Sequence, residues 1–208
     1  MGEIVVAITG ASGAAYGQRL VEVLAQDGRT VRLVVTDAGR LTLAHECNTT
    51  PEELAAAATG GGAGAAGGGS SESGAAEVIL EDNDDIAARS ASGSAEIDAV
   101  VICPCSGTTL GKLAAGIGDN LTTRSAIVAM KERRKLILVP RETPYATVHL
   151  ENMAKLSSWD TVILPASPGF YNHPTSIDDL VDFVVARILD HLGIKHSLGR
   201  RWTGDELK

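Results

Sequence analysis

Residues Ile4 to Ile8 form an unbroken aliphatic run, the pattern of a strand buried on both faces. Gly10 and Gly13 interrupt it. From Ala14 to Gln26 the apolar residues return at helical spacing, with Tyr16, Leu20, Val23 and Leu24 on one face. Asp27-Gly28 stops that helix, and Val31 to Val35 is a second aliphatic run. Strand, helix and strand within about 35 residues predict a βαβ unit, right-handed as such crossovers are.

The alternation continues. Thr36 to Glu46 reads as a helix, and Thr50-Pro51-Glu52-Glu53 opens another, with Thr50 as N-cap and Pro51 in the first turn. Further strands are predicted at Ala99 to Cys103, Leu136 to Val139 and Thr161 to Leu164, with a weaker one at Glu77 to Leu80. The last helix spans Ile177 to Leu192; Ser176 caps it, Asp178 and Asp179 favour its positive end, and Gly193 closes it. Such an order predicts an α/β fold, Rossmann-like or flavodoxin-like: an open, mostly parallel sheet with helices on both faces.

One stretch departs from this pattern. Between Ala55 and Ala76, 17 of 22 residues are Gly or Ala, and such chain gains too little burial to offset its ordering entropy. Thr59 to Ala76 is expected to be a flexible surface insertion within one domain covering residues 1–208, because the strands after it are needed to complete the sheet. Hydrophobic residues make up 44% of the chain but aromatics only 3%, so the core is expected to be aliphatic. The net charge of −8 argues against a general nucleic-acid or anionic-membrane role. No apolar run approaches the ~20 residues of a membrane span. The amino terminus enters a strand at once without signal-peptide architecture, so the expected location is cytoplasmic. Cys47, Cys103 and Cys105 fit neither a disulfide framework nor a zinc site.

Ligands of open parallel sheets bind beyond the carboxyl ends of the strands. There the sequence places Thr9-Gly10-Ala11-Ser12-Gly13, then Thr36, Ser106-Gly107-Thr108-Thr109, Arg141-Glu142, and Ser167-Pro168-Gly169-Phe170-Tyr171. The first turn lacks the G-x-G-x-x-G spacing of a dinucleotide fingerprint, and Thr36 stands where an acidic residue would hold an adenine ribose. It reads either as a plain βα corner or as a mononucleotide phosphate cradle, with backbone N–H groups and Ser12 as donors on the following helix. Ser106 is either an N-cap or part of a second cradle. Arg187 follows Val184 and Phe183 at helical spacing, so a buried guanidinium is expected, partnered by a structural carboxylate or a substrate phosphate. Glu46 and Glu142 are candidate acid/base groups, although each taken alone reads first as a surface carboxylate. Lys131 reads as a solvated helix end. His45 and His149 have no partner at metal-ligand spacing, and no metal is assigned.

Taken together, these stretches resemble the UbiX/Pad-type flavin prenyltransferases. The resemblance rests on Ile8-Thr9-Gly10-Ala11-Ser12-Gly13-Ala14-Ala15-Tyr16-Gly17, Cys103-Pro104-Cys105-Ser106, Lys131-Glu132-Arg133-Arg134 and Leu138-Val139-Pro140-Arg141-Glu142-Thr143-Pro144. It continues through His149-Leu150-Glu151-Asn152-Met153, Leu164 to Tyr171 and Asp179 to Asp190. It implies transfer of a dimethylallyl group from dimethylallyl phosphate to reduced FMN, without a metal. The product would be prenylated FMN for UbiD-type decarboxylases. The resemblance also implies a homo-oligomer, typically a dodecamer, with sites shared between subunits. Carried over by position, Gly10, Ala11, Ser12, Thr36, Ser106, Gly107, Thr108, Thr109 and Arg124 would bind FMN. Lys131, Arg141, Tyr171 and Arg187 would grip the prenyl phosphate, with Trp202 walling the site. Glu46, Glu142, Ser12 and Lys131 would serve the chemistry. The competing expectation on the same fold is an FMN-dependent cysteine-type decarboxylase, but the Pro-Ala-Ser-Ala-Asn loop of that group is absent from Pro104 to Thr108.

Overall fold

A computed structural model describes residues 2–60 and 76–199. Six parallel strands form one sheet in the order β3-β2-β1-β4-β5-β6. They are β1 (Glu3–Ile8), β2 (Val31–Val35), β3 (Val78–Glu81), β4 (Ile97–Cys105), β5 (Lys135–Pro140) and β6 (Val162–Ile163). The helices are α1 (Ala14–Gln26), α2 (Asp37–Cys47), α3 (Pro51–Gly60), α4 (Gly107–Ala114), α5 (Leu121–Lys131), α6 (Thr147–Ser157) and α7 (Ile177–Leu192). One face of the sheet packs on α1, α3 and α7 through Ile4, Val6, Ile8, Leu20, Leu24 and Val185, among others. The other packs on α4 and α5 through Val5, Ala7, Ile102, Leu113, Leu121 and Leu138. Consecutive strand residues thus serve opposite cores, which is why the runs are apolar without alternation.

The predicted bounds of α1, β2 and α7 match the structure, and Ser176, whose side chain accepts the Asp179 N–H, caps α7. β4 runs further than expected, through Pro104 to Cys105, and the last strand contracts to two residues paired with Ile137 and Leu138. Most of the expected insertion, residues 61–75, lies outside the described residues, as does Trp202. Its expected start does not hold: Thr59 and Gly60 belong to α3. The Thr59 hydroxyl donates to the Ala55 carbonyl at 2.9 Å and accepts the Val78 N–H at 3.1 Å. The end of α3 and the start of β3 are therefore tied together.

Arg32 is the buried arginine of the sheet. Its residue exposure is 8%, and its guanidinium bonds Glu3 on β1 and, at 2.6 Å, Glu81 on β3. Three adjacent strands are joined by one charge shared between two carboxylates.

Candidate active site

The strand order reverses between β1 and β4, so a crevice opens beyond their carboxyl ends. Thr9, 1% exposed, fixes its floor. Its hydroxyl donates to the Pro104 carbonyl at 2.7 Å and accepts the Ser106 N–H at 2.8 Å. The turns after β1 and β4 are thereby held as one unit.

The turn after β1 ends at Gly13, whose φ of 107° lies in the left-handed region open to glycine. The Gly13 and Ala14 N–H groups, the positive end of α1, donate to Glu46 Oε2 at 2.8 and 2.9 Å. Glu46 stands at the far end of α2. Partial burial opposes its ionisation, but the Gly13 N–H, the Ser12 hydroxyl, the Ala14 N–H and the Arg141 charge outweigh that and hold its pKa below the ordinary carboxylate value. The α1 N–H groups expected to receive a phosphate therefore already carry a carboxylate. Arg141, from the loop after β5, donates through Nε to the Ser12 carbonyl at 3.0 Å. Ser12, Glu46 and Arg141 meet on one rim.

Two other helix ends on this rim have first-turn donors with no helical acceptor. At α2, Thr36 is the N-cap and its side chain accepts the Gly39 N–H, leaving the N–H groups of Asp37 and Ala38 directed out of the helix end. At α4, the Ser106 side chain accepts the Thr109 N–H at 3.3 Å and contacts the Thr109 hydroxyl at 3.0 Å, leaving those of Gly107 and Thr108. Gly10 permits the close approach of these parts, since a Cβ there would stand 2.4 Å from the Ala38 Cβ. Two hydroxyl-capped helix ends with free N–H groups beside a reversal in strand order form a donor set that fits the phosphate and ribityl chain of a flavin mononucleotide.

Other expected site residues take no part in that meeting. Lys131 ends α5, just before β5 begins, at the amino edge of the sheet and across the molecule from Arg141; it pairs with Glu132 there. Arg124 is exposed on the first turn of α5. Tyr171 is exposed, its ring edge-on to Phe183 at 5.7 Å. Glu142 is exposed beside Arg141. Arg187 overturns its expectation: its side chain is 53% exposed and bonds Asp190 at 2.8 Å. Sequence reasoning weighed His149 only as a metal ligand; its Nε2 would lie 2.7 Å from a Cβ on Gly107. Its sequence signals are its place in the His149 to Met153 stretch and its proximity to the Arg141-Glu142 loop.

A family model described as Flavoprotein matches residues 2–189. Fold, donor set and this match define the class, an FMN-type flavoprotein. Flavin prenyltransferase UbiX of Pseudomonas aeruginosa is 47% identical over 199 residues, covering 96% of this chain and 93% of that protein. The protein of that name from Methanothermobacter thermautotrophicus is 42% identical, covering 98% and 97%. AnUbiX (PadA1), solved in complex with FMN and dimethylallyl pyrophosphate, superposes with a TM-score of 0.86 at 34% identity, covering 98% of each chain. A dodecameric FMN-dependent UbiX-like decarboxylase from Escherichia coli O157:H7 gives 0.85 at 37% identity, covering 97% and 100%. The chain belongs to the UbiX flavin prenyltransferase family. The cysteine decarboxylase TvaF, at 20% identity and a TM-score of 0.60, shares the fold alone.

Proposed function

We propose that this protein is a metal-independent flavin prenyltransferase that joins the dimethylallyl group of dimethylallyl phosphate to reduced FMN and releases phosphate. The observation that carries the reading is the meeting of Ser12, Glu46 and Arg141 beside two helix ends whose first-turn N–H groups have no helical acceptor. Reduced FMN supplies the ring nitrogen and the neighbouring ring carbon to which the prenyl group is bonded. Thr36, Ser106, Gly107, Thr108, Thr109 and Arg124 hold the flavin, and Gly10, Ala11 and Ser12 line it. Arg141, Tyr171 and Arg187 hold the prenyl phosphate with Lys131, and Trp202 walls the site. Cleaving an allylic phosphate leaves a delocalised cation and an anion, and fixed guanidinium and ammonium groups stabilise that anion as it departs. Glu46 is ionised at neutral pH, so it accepts a proton and does not donate one. Glu142, exposed beside Arg141, exchanges protons with solvent.

Lys131 and Arg141 lie at opposite edges of one chain. A site using both takes them from two copies, which supports a homo-oligomer, and we read the assembly as a dodecamer. The product passes to a UbiD-type decarboxylase in the cytoplasm, and residues 1–208 act as one flavoprotein domain with the Gly/Ala segment outside the site. Incubation of purified protein with reduced FMN and dimethylallyl phosphate, followed by mass spectrometry of the flavin, tests the reading. A gain of one C5H8 unit is expected. Unaltered flavin with both the mono- and the diphosphate donor refutes it.

A further inference from the structure

We propose that His149 binds the flavin directly, its Nε2–H donating to an oxygen of the ligand held at the α4 N-terminus. The inference rests on the flavin reading above and adds a donor that the sequence did not assign.

His149 is the third residue of α6, which packs along α4. A Cβ on Gly107 would lie 2.7 Å from His149 Nε2 and 3.2 Å from its two flanking ring carbons, and a Cβ on Gly111 would lie 3.6 Å from Asn152 Nδ2. Gly107 and Gly111 thus face α6 one turn apart. Neither has positive φ, so backbone conformation does not demand glycine at either place. At Gly107 the demand comes from the imidazole.

The ring is oriented from behind. The Ala146 N–H donates to His149 Nδ1 at 3.3 Å, and Tyr145 stands edge-on to it, centroids 6.3 Å apart. With Nδ1 accepting, the proton of the neutral ring resides on Nε2. Among the described residues no hydrogen bond is made by Nε2. It stands beside the first turn of α4, where the Gly107 and Thr108 N–H groups have no helical acceptor. Three N–H donors at the positive end of a helix suit an anionic or strongly polar oxygen. The Ser106 to Thr109 turn already belongs to the flavin cradle, so the ligand that meets this turn meets His149.

The test is titration of the assembled protein with FMN, followed by quenching of flavin fluorescence, alongside thermal unfolding without ligand. His149→Leu keeps bulk and loses the donor; His149→Gln keeps an N–H at the reach of Nε2. The Leu variant is expected to bind FMN about tenfold more weakly, as for one lost hydrogen bond to a charged or strongly polar acceptor, and the Gln variant to stay within about threefold of wild type. The unliganded Gln variant is expected to melt with wild type and the Leu variant slightly below it, because Leu also loses the acceptor for the Ala146 N–H. Unchanged affinity in His149→Leu overturns the proposal. Equal weakening in both variants with a matching drop in Tm also overturns it, because that marks a packing role. Thr36→Ala serves as the control: if it weakens FMN binding and His149→Leu does not, the His149 assignment alone falls. If wild type fails to bind FMN, the flavin reading falls and takes this one with it. A crystal structure of the wild-type FMN complex needs no variant to fold: Nε2 within ~3.2 Å of a flavin oxygen supports the proposal, and a flavin out of its reach overturns it.

Discussion

Replacing Glu46 by Gln removes one charge and keeps the side-chain shape. In the native protein its carboxylate accepts N–H groups from Gly13 and Ala14 at 2.8 and 2.9 Å and caps the positive end of the 13-residue α1. A hydrogen bond to a charged acceptor is worth about 1 kcal/mol more than a neutral one, and a negative charge at a helix N-terminus adds about 0.3–1 kcal/mol. Two bonds and the helix end together amount to about 2–3 kcal/mol. Glu46 is exposed in the chain, so solvent screening reduces that to about 1 kcal/mol.

The sign with pH follows from the lowered pKa. The unfolded carboxyl titrates near its ordinary value of 4.5, and the folded one below it. Stabilisation by the charge is complete above the unfolded value and is lost as pH falls through the folded value. Urea unfolding at fixed protomer concentration should show wild type more stable than Glu46→Gln by a constant margin from pH 7 to about pH 5, closing below that. Subtracting the variant from wild type removes the contribution of the other carboxyl groups. Equal midpoints at pH 7, or a margin unaltered in acid, would refute the capping role.

Gly107→Ala should lower stability by about 1–2 kcal/mol, because the new methyl meets the His149 ring. In a His149→Ala background the same change should become neutral or stabilising, since helical backbone favours Ala over Gly; thermal melts of the two single variants and the double variant read this reversal. Arg32→Leu should cost about 3 kcal/mol in denaturant unfolding, because it leaves Glu3 and Glu81 facing each other without their shared cation; a loss under 1 kcal/mol would count against that reading. Co-assembled Lys131→Ala and Arg141→Ala chains should regain up to about a quarter of wild-type prenylation, the share of sites that draw intact groups from two copies. Hybrids no more active than either parent would show that both groups serve within one chain.

Elements were legible where a local pattern decides them. β2 and α7 were bounded by their own residues: an aliphatic run in one case, Ser176 and Gly193 in the other. Arg187 was misjudged because spacing from Val184 and Phe183 was read without the whole wheel. At 3.6 residues per turn it lies about 110° from the centre of the stripe formed by Val181, Val184, Val185 and Ile188. Phe183 is itself only half-buried. The rule that a buried guanidinium needs an anion was sound; it applied to Arg32, inside an apolar strand and matched to two carboxylates from its neighbours. The meeting of Glu46 with Gly13 spans 33 residues, and no periodicity encodes it. It follows from α2 packing beside α1, which only the folded chain displays. The place of Thr36 and Ser106 on the rim was legible because sheet topology fixes which strand ends gather at the crevice, whatever the loops contain.

The distribution of charge also bears on how the reaction is protected. Arg141 and Glu46 stand on the rim of one chain, while Lys131 lies at its opposite edge and Arg187 is open to solvent on α7. Phe170 and Tyr171 on the loop before α7, and Val148 and Leu150 on α6, are exposed beside the same crevice loops. A single chain therefore presents a polar cradle whose cations are dispersed and whose apolar walls face water. An allylic cation survives only where water is excluded, and fixed donors gain strength in the same dry surroundings. On the proposed function, association of copies would meet both needs at once: it would cover the exposed apolar side chains and bring Lys131 of one copy towards the Arg141 rim of another. On this reading, assembly is a condition of the chemistry, and a variant that separates the copies loses prenylation even with every residue of its own rim intact.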